Sequence, residues 1–367
     1  MNKKTILIII LTALISIILI LILTLTPYEK ELSPKETNLV ECKSLNFNSN
    51  NGINLVFFSP KEEAEKYMHF FLATEPFDKK KEAFNFYYIE TYKPKCELYK
   101  GIAILCHSKE LLKVSASCPN DYIVVLKEEN PKIRSSSYQN VLSINTNHPM
   151  SVLSHEFGHS FANLAEEYTP ANLPLGVENC VEKCELFNGE KDGCFQGCSK
   201  NNYFRSIENG VMRTLSSNNY GIFNKNLILK RIPEQNNKIT GRIISENECH
   251  KKKYILIEGR YIDGKIEIIN KELGKGCPSG NGAGPFNYKI KFGDVEIRGD
   301  EFNPEFIFTD AQNIEENEIS GETFISDREF ILKIPQLPNA EILQIFKENE
   351  MLTELRINDV GVMFCRI

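Results

Sequence analysis

The 367-residue chain lacks any excess of basic charge: 43 Lys and Arg stand against 49 Asp and Glu, a formal net charge of −6. A mildly acidic body offers no electrostatic footprint for nucleic acid, so that class of partner is excluded. No internal repeat period is present, which argues against stacked-repeat architectures. Disorder is excluded as well, at 42% hydrophobic and 25% charged residues. Histidine is scarce, with six in the whole chain.

Charge is missing altogether from residues 5–26, which also lack Gly and Pro. At about 1.5 Å per residue, a helix of that length crosses the ~30 Å hydrocarbon core of a bilayer. A purely soluble cytoplasmic protein is therefore not expected. Lys3 and Lys4 precede the run, and no small-residue cleavage site follows it. The run also exceeds the ~7–15 apolar residues of a signal peptide. Residues 1–26 thus read as an uncleaved signal anchor, with the N-terminus cytoplasmic and everything after Pro27 outside. Secretion after cleavage near Thr26 is the alternative.

Eleven cysteines in an exported chain read as a disulfide framework. Cys180, Cys184, Cys194 and Cys198 form a tight cluster. The i, i+4 spacing within each pair, with Asn188-Gly189 and Asp192-Gly193 between them, predicts a short helical hairpin stapled by two disulfides. A four-cysteine zinc site is the rival, but it favours closer spacing. The odd total leaves at least one thiol free or paired with a partner.

Residues 27–51 are polar and read as a tether. Beyond them, Ile53–Phe58 is a short apolar run ending at Ser59-Pro60, a strand signal. Helices are expected over 61–72 and 108–114, and strands over 83–90, 121–126 and 141–145. From about residue 226 short β-rich runs dominate: 254–258, 265–269, 288–292, 305–308, 330–334, 341–346 and 362–364. The expected class is α+β. A domain at 52–225 combines a twisted mixed sheet with helices, and 226–367 forms an all-β sandwich.

The informative stretch is residues 151–168, S-V-L-S-H-E-F-G-H-S-F-A-N-L-A-E-E-Y. It contains His155-Glu156-x-x-His159. With histidine so scarce, such a pattern is expected by chance on the order of 0.01 times. On a helix at about 100° per residue, Phe157, Phe161 and Leu164 lie within about 80° of Leu153, while His155 and His159 lie at about 200° and 240°. One face packs on a core and the other presents two imidazoles one turn apart, the stagger that zinc requires. Glu156 lies beside them, placed to act on a metal-bound water. A structural zinc site gives no reason for that Glu.

The third ligand is harder to read. On an unbroken helix Glu166 would share the histidine face yet sit ~10 Å along the axis from His159. The helix must bend back, and Asn163 is the residue best able to allow it. Once it bends, the wheel no longer separates Glu166 from Glu167. Glu178 is a further candidate. His69, His107, His148 and His250 have no ligand-like spacing.

The segment H-E-F-G-H-S-F-x-x-L-A-[DE]-E-Y at 155–168 resembles the IgA-peptidase family of zinc metallopeptidases. Ile53–Phe58, Glu75-Pro-Phe77 and Phe84-Asn-Phe-Tyr87 are similar to that family's opening and second strands. The resemblance covers residues 52–224. It implies a zincin-type, metzincin-like catalytic domain, with Glu166 as the preferred third ligand. It also raises Met212 to a methionine turn beneath the metal, and it carries no substrate.

The function expected is a membrane-anchored, extracytoplasmic zinc endopeptidase with a peptide or protein substrate. Zn2+ would be held by His155, His159 and Glu166 (or Glu167), with Glu156 as general base and Tyr168 or Tyr220 as oxyanion donor. The competing expectation is an inactive cell-surface binding or adhesion protein that uses the zincin domain as scaffold. The sequence carries no signal of oligomeric state.

Overall fold

A computed structural model describes residues 39–232, 246–280, 282–313 and 318–358. Residues 5–26, Cys365 and the strand expected at 362–364 lie outside them. Among the described residues no helix is long and apolar enough to cross a membrane.

The chain begins with β1 (Lys43–Asn46) and β2 (Ile53–Phe58), then helix α1 (Lys61–Ala73) and β3 (Phe84–Ile89). Strands β4 (Glu97–Tyr99) and β5 (Ala103–Leu105) make a small hairpin before α2 (Lys109–Ser115) and β6 (Tyr122–Lys127). Next come β7 (Ser135–Tyr138), β8 (Val141–Asn145) and α3 (Ser151–Ala162). The hairpin β9 (Phe195–Cys198) and β10 (Lys200–Arg205) precedes α4 (Gly221–Arg231). Among the described residues, a 3-10 turn (Glu246–Lys251) then leads into β11 (Lys253–Ile262), β12 (Lys265–Lys275), β13 (Phe286–Phe292), β14 (Val295–Phe302), β15 (Phe306–Asn313), β16 (Glu318–Ile325), β17 (Phe330–Pro335), β18 (Ile342–Lys347) and β19 (Glu350–Arg356).

Eight strands form one mixed sheet in the order β1-β3-β2-β6-β8-β7-β15-β16. Its centre, β3-β2-β6-β8, is parallel. Those strands read as apolar runs because both faces are covered. On one face Leu55, Phe57, Phe84, Phe86 and Val124 pack with Phe71 of α1, Phe157 of α3 and Leu227 of α4. On the other, Val56, Phe58, Ile123 and Val125 pack with α2 and with Tyr254, Leu256 and Ile331 of β11 and β17.

The protein is thus mixed α+β, with a large sheet and a sandwich-like region. In that region the sheets β12-β11-β17 and β14-β13-β18-β19 share one core of Ile255, Ile257, Leu332, Phe286, Ile290, Leu343 and Ile345.

Three sequence expectations are corrected. Residues 43–46 of the expected tether are a sheet strand, paired with β3 and tied in by the Cys42–Cys118 disulfide. The boundary at 225/226 falls inside α4, because Phe223, Leu227 and Ile228 pack into the same core as α3. The C-terminal stretch also gives β15 and β16 to the large sheet, so not all its strands belong to the sandwich.

The cysteine cluster does close as two disulfides, nested as Cys180–Cys198 and Cys184–Cys194. It is not helical, however. Val181 is extended and bridges Phe204 of β10, so the pairs close across a β-hairpin instead of along a helix. Only Cys184–Phe187 forms a short 3-10 turn. Cys96–Cys106 and Cys249–Cys277 complete five disulfides, so all ten described cysteines are paired. That density suits an extracellular setting.

Candidate metal centre

Helix α3 is buried along its whole length. Its glycine has a steric cause: a Cβ on Gly158 would come 2.8 Å from Met212 Sδ and 3.2 Å from the Tyr220 ring. The helix ends at Asn163, which adopts the left-handed conformation (φ 50°, ψ 40°). Asn tolerates that region better than most residues. The chain then folds back, and the His159 ring donates from Nδ1 to the Leu164 carbonyl at 2.6 Å. Asn179 holds the returning segment, accepting from Ala165 N at 2.7 Å and donating to Ala165 O at 2.9 Å.

This reversal separates the two acids. Glu166 turns to the histidines, with Oε1 3.1 Å from His159 Nε2 and Oε2 3.4 Å from His155 Nε2. Glu167 turns away, and its Oε1 accepts from Asn224 Nδ2 at 2.8 Å. Burial raises Glu167 to about 7, against the hydrogen bonds from Asn224 and Asn179. Glu178 is exposed and outside the group.

A fourth acid arrives from β15, unforeseen in the sequence. Asp310 Oδ2 lies 3.2 Å from His155 Nε2 and 3.9 Å from His159 Nε2. One ligand atom from each of His155, His159, Glu166 and Asp310 lies within 4.8 Å of all the others. The faint signal for Asp310 was an acid amid the apolar run Phe306–Ala311, which no local motif flags. Its register is set by pairing with β7: Phe308 opposite Ser137, Thr309 opposite Ser136 and Asp310 opposite Ser135. Phe308 stacks on the His159 ring, with centroids 4.0 Å apart and planes at 10°.

The donor set fits a cation. His155 Nδ1 donates to the Val211 carbonyl at 2.8 Å, and His159 Nδ1 to Leu164. A carbonyl only accepts, so a neutral ring there keeps its lone pair on Nε2. The two Nε2 atoms are 3.0 Å apart. Both Glu166 oxygens and Asp310 Oδ2 have no hydrogen-bond donor of their own. Five electron-rich atoms crowded in a dry interior need positive charge among them. Without a metal, protons take that role. Burial opposes the charge on His155, but Asp310 and Glu166 outweigh it and raise its pKa well above the ordinary value. Burial also works against ionised Glu166, yet His159 and His155 hold it down to about 2.

Glu156 sits beside this group, 0% exposed, and neither of its oxygens makes a close hydrogen bond. Burial, and then the Asp310 charge, push its pKa well up. Met212 lies beneath α3, its carbonyl accepting from Glu167 N at 2.9 Å. The two tyrosines are otherwise engaged. Tyr220 spends its hydroxyl hydrogen on the Ser154 carbonyl, which removes it as an oxyanion donor. Tyr168 donates to Asp310 Oδ1 at 2.9 Å. The histidine face is covered: His155, Glu156, Glu166 and Asp310 are 0% exposed and His159 2%.

Fold and site together define a mixed α+β protein with a buried His, His, Glu and Asp group that could hold a metal ion. No protein-family model matches the chain, and no curated protein matches it in sequence.

Proposed function

We propose that the chain is an extracytoplasmic zinc-dependent endopeptidase, anchored through residues 5–26, with a zincin-type catalytic domain similar to the IgA-peptidase family. The observation that carries this reading is Glu156: a fully buried acid, with the Ser137 hydroxyl as its hydrogen-bonding neighbour, one residue from a converging donor set. Its raised pKa suits a group that accepts and returns a proton. Zinc suits this set of imidazole nitrogens and carboxylate oxygens.

His155, His159 and Glu166 would hold the ion. When bound, it supplies Lewis acidity to the scissile carbonyl and to water. Glu156 takes the proton from the attacking water and delivers it to the leaving amine. The carbonyls of Val211 and Leu164 keep both imidazoles in the tautomer that ligates. Met212 and Tyr220, packed under Gly158, fix the height of α3.

One observation favours a second reading. Asp310 supplies a fourth protein donor, and four protein ligands are the mark of a structural site. The chain would then be a cell-surface binding or adhesion protein whose metal only braces the fold. Elemental analysis and a casein or peptide-library digest, with and without chelator, separate the two. The assay is run on the unaltered chain and on Asp310→Ala. Chelator-sensitive cleavage by either, abolished by Glu156→Gln with zinc retained, supports the peptidase. Bound zinc with no cleavage by either supports the brace.

A further inference from the structure

Most elements around the donor group have a task in the proposed reaction. Helix α3 brings both histidines and Glu156, the reversal after Asn163 brings Glu166, and Val211 orients His155. Strand β15 brings only Asp310 and Phe308, which that chemistry does not use, and sets them against both histidines. Resting on the peptidase reading, we infer that the β15–β16 hairpin is a built-in plug. It holds the sheet edge that an extended peptide substrate would join and sets Asp310 where the reaction needs an open position, so the chain is latent until the hairpin is displaced.

Three observations carry this. The first is burial: with the five groups at 0–2% exposure, no peptide reaches them while β15 is in place. The second is the edge. Without β15, strand β7 would end the sheet and present unpaired N–H and C=O groups beside α3. Such an edge takes up an extended chain by backbone pairing. β15 now uses it in antiparallel register, with Asp310 at the donor group and Phe308 two residues before it on His159.

The third is the way the hairpin is attached. β15 pairs with β16 over eight residue pairs but with β7 over only three. The β7 positions it meets are Ser135, Ser136 and Ser137, which offer little apolar surface. The hairpin's apolar anchors are Ile307, in a small cluster with Tyr99, Leu105 and Tyr138, and Ile319, in the main core, and Asn172 Nδ2 donates to the Thr323 carbonyl at 2.6 Å. None of the five disulfides includes a hairpin residue. Gly321 of β16 fits the arrangement: any Cβ there would lie 2.0 Å from Asp310 Oδ1 and 2.1 Å from the Tyr168 hydroxyl. The hairpin therefore pairs more extensively within itself than with the sheet edge it occupies.

The test uses the full-length chain loaded with Co2+, whose visible spectrum reports coordination, and acetohydroxamate as a small metal-binding probe. In the unaltered chain the probe should leave the spectrum almost unchanged. In Asp310→Ala and the near-isosteric Asp310→Asn it should shift the spectrum, with apparent affinity higher by about a hundredfold if the open form is ~1% populated. Cleavage of a peptide library should rise in parallel.

Equal probe binding by unaltered and variant chains overturns the plug, and cleavage by the unaltered chain at the variants' rate does so while leaving the peptidase reading intact. Loss of fold or of cobalt in both variants makes Asp310 part of the permanent frame and also overturns it. A cobalt centre that binds the probe only in the variants, yet cleaves nothing, supports the plug and removes the peptidase reading.

Discussion

The large sheet with α3 and the sandwich-like region bury different things. Under the sheet lie five ionisable side chains, His155, Glu156, His159, Glu166 and Glu167, all at 0–2% exposure. The shared core of the two sandwich sheets is apolar apart from the Tyr288 hydroxyl, and ion pairs such as Arg260–Glu329 and Lys289–Glu296 stay at its surface. Among the described residues, the region's one buried lysine, Lys333, faces the other way. It donates to Leu112 O at 2.9 Å, Ser115 Oγ at 2.9 Å and Asn120 Oδ1 at 3.1 Å. Lys333 and Glu156 are equally hidden, but one makes three hydrogen bonds and the other has only the Ser137 hydroxyl beside it. A buried charged group with every bond made belongs to architecture. One left with few partners costs stability and is a candidate for chemistry.

The largest effect that can break this contrast is on Glu156. Glu156→Gln should lower peptide cleavage about 10²–10⁴-fold, the usual worth of a general base, with metal content and unfolding midpoint unchanged. Undiminished cleavage would place Glu156 with Lys333 as a structural group. Next is Lys333→Met, which strands the acceptors around Leu112 and Asn120. It should cost about 2–4 kcal/mol in urea unfolding and leave bound metal untouched.

Acid gives a smaller, graded separation. Burial lowers His107 to about 4 from the ordinary 6.5. Between those values the unfolded chain binds a proton that the folded chain refuses. Its contribution is complete above pH 6.5 and declines as pH falls toward 4. At pH 5 the loss is roughly 1–2 kcal/mol. His107→Gln should remove that part of the acid sensitivity, read as a smaller loss of stability between pH 7 and pH 5 in urea unfolding. Smallest of all, Arg260→Ala at the Arg260–Glu329 surface pair should cost less than about 1 kcal/mol in the same unfolding measurement. A larger loss would mean that the sandwich relies on its charges after all.

What the sequence could tell follows the same division. His155, Glu156 and His159 are legible because helical spacing converts directly into geometry. Asn163 was legible as the place for a reversal, but the choice of Glu166 over Glu167 depends on how Asn179 and Asn224 hold the returning chain. The central strands announce themselves by apolar runs. β7 does not, since Ser-Ser-Ser-Tyr carries no alternation and is placed by its neighbours. The i, i+4 cysteines misled because spacing states only where a helix would put them, and β-pairing at Val181 prevailed. Asp310 is a contact between segments far apart in the chain, and periodicity within either is silent about it.

The left-handed turn at Asn163 also has a consequence in time. It lets His155, Glu156, His159 and Glu166 assemble from one short stretch of chain, with low loop-closure entropy. Asp310 belongs to a strand made much later. As the polypeptide is synthesised from its N-terminus, the three-donor arrangement has its residues in hand long before the fourth exists. On the proposed reading, a newly made molecule would therefore have three donors in hand before β15 arrives to close over them.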